Sequence, residues 1–229
     1  MAPPLLLFCD TDCLIQIFIA TQSSLLRWFK SRYGLQAVIV PEVESELAWH
    51  GKFRDRFDPD LRKAVTSGLI TVFDYSRSEQ LSPFFPALHA ATAAARTITK
   101  TGGDYALKVG SGEAYSHAVC VHLGMPLLSH DRSAINTLRL NNLQTAAPVL
   151  RVFDLVALAY QQREMTAKAC DAIRQALGRS REFLPRAFRH ASFERGLSDF
   201  EARLCELPTG ADRPAACQNY DDRYFLVPV

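Results

Sequence analysis

At 229 residues, 48% of them hydrophobic, the chain is long enough to bury a sizeable core as one large domain, or as a domain with an extension. Charged residues at 22% are ordinary for a globular protein, and a net charge of +2 is too small to mark a nucleic-acid binder by itself. Six cysteines without a single C-x-x-C pair argue against a zinc site and for a reduced, intracellular protein. The run "LLLF" is too short for a signal peptide, and Asp10 and Asp12 interrupt the apolar stretch 5–20, so no membrane span and a cytoplasmic location are expected.

In chain order, the buried run "PLLLFC" (4–9) predicts a strand, and the rhythm of Leu14, Ile17, Phe18, Leu25, Trp28 and Phe29 predicts a helix over 13–32, ended by Gly34. "AVIV" (37–40) is a second strand, and Pro41 opens a helix at a first-turn position that tolerates proline. Residues 60–67 read as helix, and "LITVF" (69–73) as a third strand. Residues 78–98 are helical in tendency but carry Pro83 and Pro86, and "TGGD" (101–104) is a loop. A helix over 112–123, a strand "MPLLS" (125–129), a short helix from about 133, a strand "VLRVF" (149–153) and a helix from Asp154 to about 162 complete the pattern. Strands alternating with helices imply a three-layer α/β/α fold around a central, mainly parallel sheet of four or five strands. Residues 1–162 form this unit. Residues 163–229 form a helical, arginine-rich extension, and 206–229, with Pro208, Pro214 and Pro228, an irregular tail.

The acids within apolar surroundings carry the chemistry. Asp10 directly follows the first strand, where it serves as a helix cap or as a metal ligand, and Asp12 reads as a further cap. Glu46 borders the buried face marked by Val43 and Leu47. Glu113 lies in the first turn of its helix, where the dipole favours a carboxylate without any function, with His117 four residues on. Asp131 follows the fourth strand as Asp10 follows the first, and in a parallel sheet both strand ends face the same side. Acids gathered there repel one another, and a divalent cation removes that penalty. Hard oxygen donors select Mg²⁺ or Mn²⁺.

At these residues the chain resembles the PIN-domain family of metal-dependent ribonucleases, which includes the toxins of bacterial toxin–antitoxin pairs. The resemblance rests on "LLLFCDTDCLI", "VIVPEVESEL", "GSGEAYSHAVCVHLGMPLLSHDRSA" and the closing "RVFDLVALAY", and covers about residues 1–160. It implies an endoribonuclease that cuts RNA with metal-activated water. Asp10, Glu46, Glu113 and Asp131 would be the catalytic, metal-binding acids, with Asp12 a further ligand. Thr11 would hold the first aspartate, and Thr11, Arg132 and Asn136 would line the substrate path. Asn136 stands where many members have another acid, so the second metal position departs from the family pattern. An antitoxin protein and a second copy of the chain are the partners implied.

In the extension, Arg179, Arg181, Arg186 and Arg189 are candidates for phosphate contact, interleaved with Phe183, Phe188 and Phe193, which either stack on unpaired bases or dock onto the main domain. Two other readings are open. One is a PIN-like RNA- or protein-binding module with a weakened metal site. The other is a haloacid-dehalogenase-like phosphatase, with Asp10 as nucleophile, Asp12 as acid/base and Asp221–Asp222 as its late acidic pair.

Overall fold

The structure is a computed structural model. It describes residues 5–21, 23–49, 54–74, 111–123, 125–130, 149–178, 184–200, 202 and 225–226. The first strand, β1 (Leu5–Cys9), is buried along its whole length, which is why its sequence is a continuous apolar run rather than an alternating one. Helices α1 (Thr11–Thr21) and α2 (Ser24–Tyr33) lead to β2 (Leu35–Ile39). Helices α3 (Pro41–Trp49) and α4 (Arg54–Thr66) lead to β3 (Ile70–Phe73). Then come α5 (Ser111–Leu123), β4 (Leu127–Leu128), β5 (Val149–Leu150) and α6 (Val152–Gln161). The chain continues through α7 (Ala167–Gly178), a 3₁₀ turn (Arg186–Phe188), α8 (Phe193–Ser198) and β6 (Phe225–Leu226).

The sheet runs β5-β4-β1-β2-β3-β6. The first five strands are parallel and β6 pairs antiparallel with β3. This is the expected three-layer α/β architecture. The strand order reverses at β1: the chain moves outward through β2 and β3, then returns to the other side of β1 for β4 and β5. In open parallel sheets, crevices for ligands form beyond the carboxyl ends of the strands at such a reversal. Phe8 pairs with Leu127 and Cys9 with Leu128. The next residues along, Asp10 and Ser129, therefore lie side by side at that point.

Four local expectations are corrected. The helix expected over 13–32 is two helices, because Ser23 between them takes a left-handed backbone (φ 66°). The helix expected over 60–67 begins earlier, at Arg54. The last parallel strand ends at Leu150 instead of 153. There the Asp154 carboxylate accepts from the Arg151 backbone N–H (2.7 Å) and from its guanidinium Nε and Nη2 (both 2.9 Å), which starts α6 two residues early. The tail, expected to be irregular, supplies the edge strand β6.

Helix α1 is buried almost all round, from Cys13 to Phe18. A helix buried on so many sides needs a second cover, and α7 packs against it. Cys170, Ile173 and Leu177 of α7 join the same hydrophobic core as the sheet, as do Leu184, Phe188, Phe193 and Phe200 further on. The Phe188 ring stacks on Phe153 of α6 (4.6 Å between centroids) and on Phe193 (5.5 Å), and meets Phe200 at 4.9 Å. Phe188 and Phe193 thus dock inward and present no stacking surface for bases; Phe183 lies outside the described residues. Gly196 lets α8 approach this cluster: a β-carbon there would lie 2.5 Å from Phe188 Cδ1 and 2.8 Å from the Ala187 carbonyl oxygen. Gly196→Ala is therefore expected to destabilise the chain by about 1–3 kcal/mol, read from a urea unfolding midpoint, since backbone on one side and a packed ring on the other leave little room to yield.

Candidate active site

Asp10 is the first residue after β1 and is only 4% exposed. Its backbone N–H donates to the Leu128 carbonyl (3.0 Å), so the ladder to β4 continues through it. Its Oδ1 accepts from the Cys13 backbone N–H (2.8 Å), which is the geometry of a cap on α1. The Ser129 hydroxyl also hydrogen-bonds to the carboxylate. Burial nevertheless pushes the Asp10 carboxyl up to about 6 from its ordinary 3.8; the bonds from Ser129 and Cys13 oppose that rise, and the Asp12 charge adds to it. Asp10 is thus a cap and also an acid whose charge its surroundings do not fully compensate. Burial pushes the Cys9, Cys13 and Cys120 thiols all upward, which disfavours the thiolate form.

Glu46 comes to the same place from α3. Val43 and Leu47 are fully buried and fix the roll of that helix, so Glu46 at its half-buried edge points across the end of the sheet. Its Oε2 accepts from the Thr11 hydroxyl (2.5 Å), one residue beyond Asp10. Its Oε1 accepts from the Gly112 backbone N–H (3.0 Å) at the start of α5. Thr11, expected to hold Asp10, therefore holds Glu46. Glu113 follows Gly112 in the first turn of α5, half-buried, and His117 is buried further along the helix.

The structure thus brings Asp10, Thr11, Glu46 and the first turn of α5 to one corner of the molecule. Asp12 is exposed on the first turn of α1. Asp131, Arg132, Asn136, Arg179, Arg181, Asp221 and Asp222 lie outside the described residues. Arg186 and Arg189 are exposed, and Arg189 Nε donates to the Leu184 carbonyl (3.1 Å). Among the described residues, no three histidine, cysteine, aspartate or glutamate side chains gather so as to hold a metal ion. Two participants were not anticipated from sequence. Ser129 was visible only as the end of a strand, and Gly112 only as one glycine in "GSGE".

Fold and corner together define an α/β protein with a buried acid at the reversal point of a parallel sheet. No family model, curated protein or solved structure matches the chain. No helix among the described residues is long and apolar enough to cross a membrane.

Proposed function

We propose that the chain is a metal-dependent endoribonuclease of the PIN type, acting on RNA phosphodiesters with Mg²⁺ or Mn²⁺. The observation that supports this reading is a carboxylate, Asp10, buried where the strand order reverses and linked through Thr11 and Glu46 to the turn that bears Glu113. The donor chemistry fits such an ion. The oxygens are hard, and the penalty that burial places on charged Asp10 is the kind a divalent cation offsets. Asp10, Glu46, Glu113 and Asp131 make up the acid set that would hold it. When bound, the ion supplies an activated water and positive charge opposite the phosphate under attack. The chain's own part is positional. The Cys13 N–H and the Ser129 hydroxyl fix the Asp10 carboxylate, which is buried at the strand ends. Exposed Arg186 and Arg189 are the described candidates for phosphate contact, and a toxin role with an antitoxin or a second copy as partner belongs to the same reading.

The test is incubation with a labelled single-stranded RNA in Mn²⁺, with and without EDTA. Cleavage in Mn²⁺ that EDTA stops is the expected result. RNA retained but uncut in Mn²⁺ would replace this reading with a binding module. A phosphomonoester hydrolysed through a trapped aspartyl-phosphate on Asp10 would replace it with a phosphatase.

A further inference from the structure

We propose that Glu46 is a positioning residue that clasps the starts of two helices together, and that it acts on the ion through Asp10 and Glu113 instead of binding it. This inference rests on the nuclease reading and refines one member of its acid set.

The two oxygens of Glu46 are directed apart, Oε2 to Thr11 and Oε1 to the Gly112 N–H. These partners are far apart in sequence, and each adjoins another acid: Thr11 follows Asp10, and Gly112 precedes Glu113. One side chain therefore sets the spacing between two segments that carry candidate ligands. A carboxylate suits the task because it accepts two hydrogen bonds, both charge-assisted, and because a helix start favours a negative group. The approach is close enough to require glycine. A β-carbon on Gly112 would lie 2.9 Å from Val43 Cγ2 and 3.0 Å from Glu46 Oε2. With Val43 buried, the fit between α3 and α5 is tight on both the apolar and the polar side. Groups that orient metal ligands in this way typically contribute about 10–100-fold to affinity or activity.

Glutamine separates the two roles. Its carbonyl can still accept from Gly112, and its amide can donate to the Thr11 hydroxyl, which then acts as acceptor. A clasp survives that change, whereas a ligand that must supply charge does not. The experiment is a Mn²⁺ titration of the full chain, alongside the ¹H–¹⁵N resonance of Gly112. For Glu46→Gln, Mn²⁺ affinity is expected to fall less than about fivefold and the Gly112 amide proton to keep its hydrogen-bonded shift. For Glu46→Ala and Thr11→Val, affinity is expected to fall about 10–100-fold. Glu46→Ala should move the Gly112 resonance upfield, and Thr11→Ser should restore affinity. The Thr11 pair keeps the proposal testable if Glu46→Ala fails to fold. Mn²⁺ affinity in Glu46→Gln as low as in Asp10→Asn would overturn the clasp and make Glu46 a ligand, with the nuclease reading intact. A Gly112 resonance unmoved in Glu46→Ala would also overturn the clasp alone. No Mn²⁺ binding by the unmodified chain would overturn the nuclease reading, and the positioning role with it.

Discussion

Asp10→Asn is expected to raise the stability of the metal-free chain at pH 7.5 while abolishing RNA cleavage. Burial lifts the Asp10 carboxyl to about 6 in the folded chain, against 3.8 for the ordinary group. Between those two values the folded state holds a proton that the unfolded state has released. Stability on account of Asp10 therefore falls as pH rises from about 4 to about 6, and stays low above that. A shift of about two units corresponds to roughly 3 kcal/mol, which sets the upper limit of what neutralising the group can return. Asparagine keeps an oxygen to accept from the Cys13 N–H, so the cap on α1 is retained. Urea unfolding in EDTA at pH 7.5 and pH 4 reads the effect. The gain should be about 1–3 kcal/mol at the higher pH and should shrink to about 0.5 kcal/mol at the lower, where wild-type Asp10 is protonated in the folded state and about half ionised in the unfolded one. A variant destabilised equally at both values would show that the aspartate is a structural hydrogen-bonding group and carries no charge penalty.

Phe188→Ala is expected to cost about 3–5 kcal/mol, the range for emptying a fully buried aromatic site. The ring is 0% exposed and touches Phe153 of α6 and the rings of Phe193 and Phe200. Phe200 in turn lies under the Arg151 guanidinium, 4.3 Å from Cζ to the ring centre, and Arg151 is the residue that pairs with Asp154 to start α6. The consequence should extend beyond a lower unfolding midpoint. Limited proteolysis should cut between residues 178 and 200 in the variant under conditions that leave the wild-type chain whole. A loss below about 1 kcal/mol would mean that these aromatic contacts contribute little and that 184–200 is not part of the core.

The alternation of strands and helices was legible because burial leaves a direct trace. β1 is sealed on both faces and reads as unbroken apolar sequence; Gly34, with its positive φ, ends α2 where it was expected to. What escaped was settled by contacts between distant segments. Phe188 and Phe193 are five apart, which matches no helical stripe, because Phe188 closes a 3₁₀ turn, Phe193 opens a short helix, and the chain between them bends to bring the rings together. Helix α1 was legible from its rhythm of apolar residues, but that α7 covers it follows only from the three-dimensional arrangement. β6 is two residues long and pairs with an edge, too little for any periodicity to register.

The candidate site divides in the same way. Asp10 stood out as a charge ending a core strand, and its two readings, cap and ligand, are compatible: the bond from Cys13 is a capping bond, and the group is still penalised when ionised. Glu46 was legible as an edge residue of α3 from the burial of Val43 and Leu47. Its partners were not, since nothing local connects it to Thr11 or Gly112. Ser129 gained its role from the β1–β4 register alone.

The most direct measurement of the central claim is calorimetric titration of the unmodified chain and of Asp10→Asn with Mn²⁺ at pH 7.5. Saturable binding by the unmodified chain, lost in the variant while its fold persists, is the predicted result. Equal binding by both, or heat from neither, would contradict a metal centre at the end of β1.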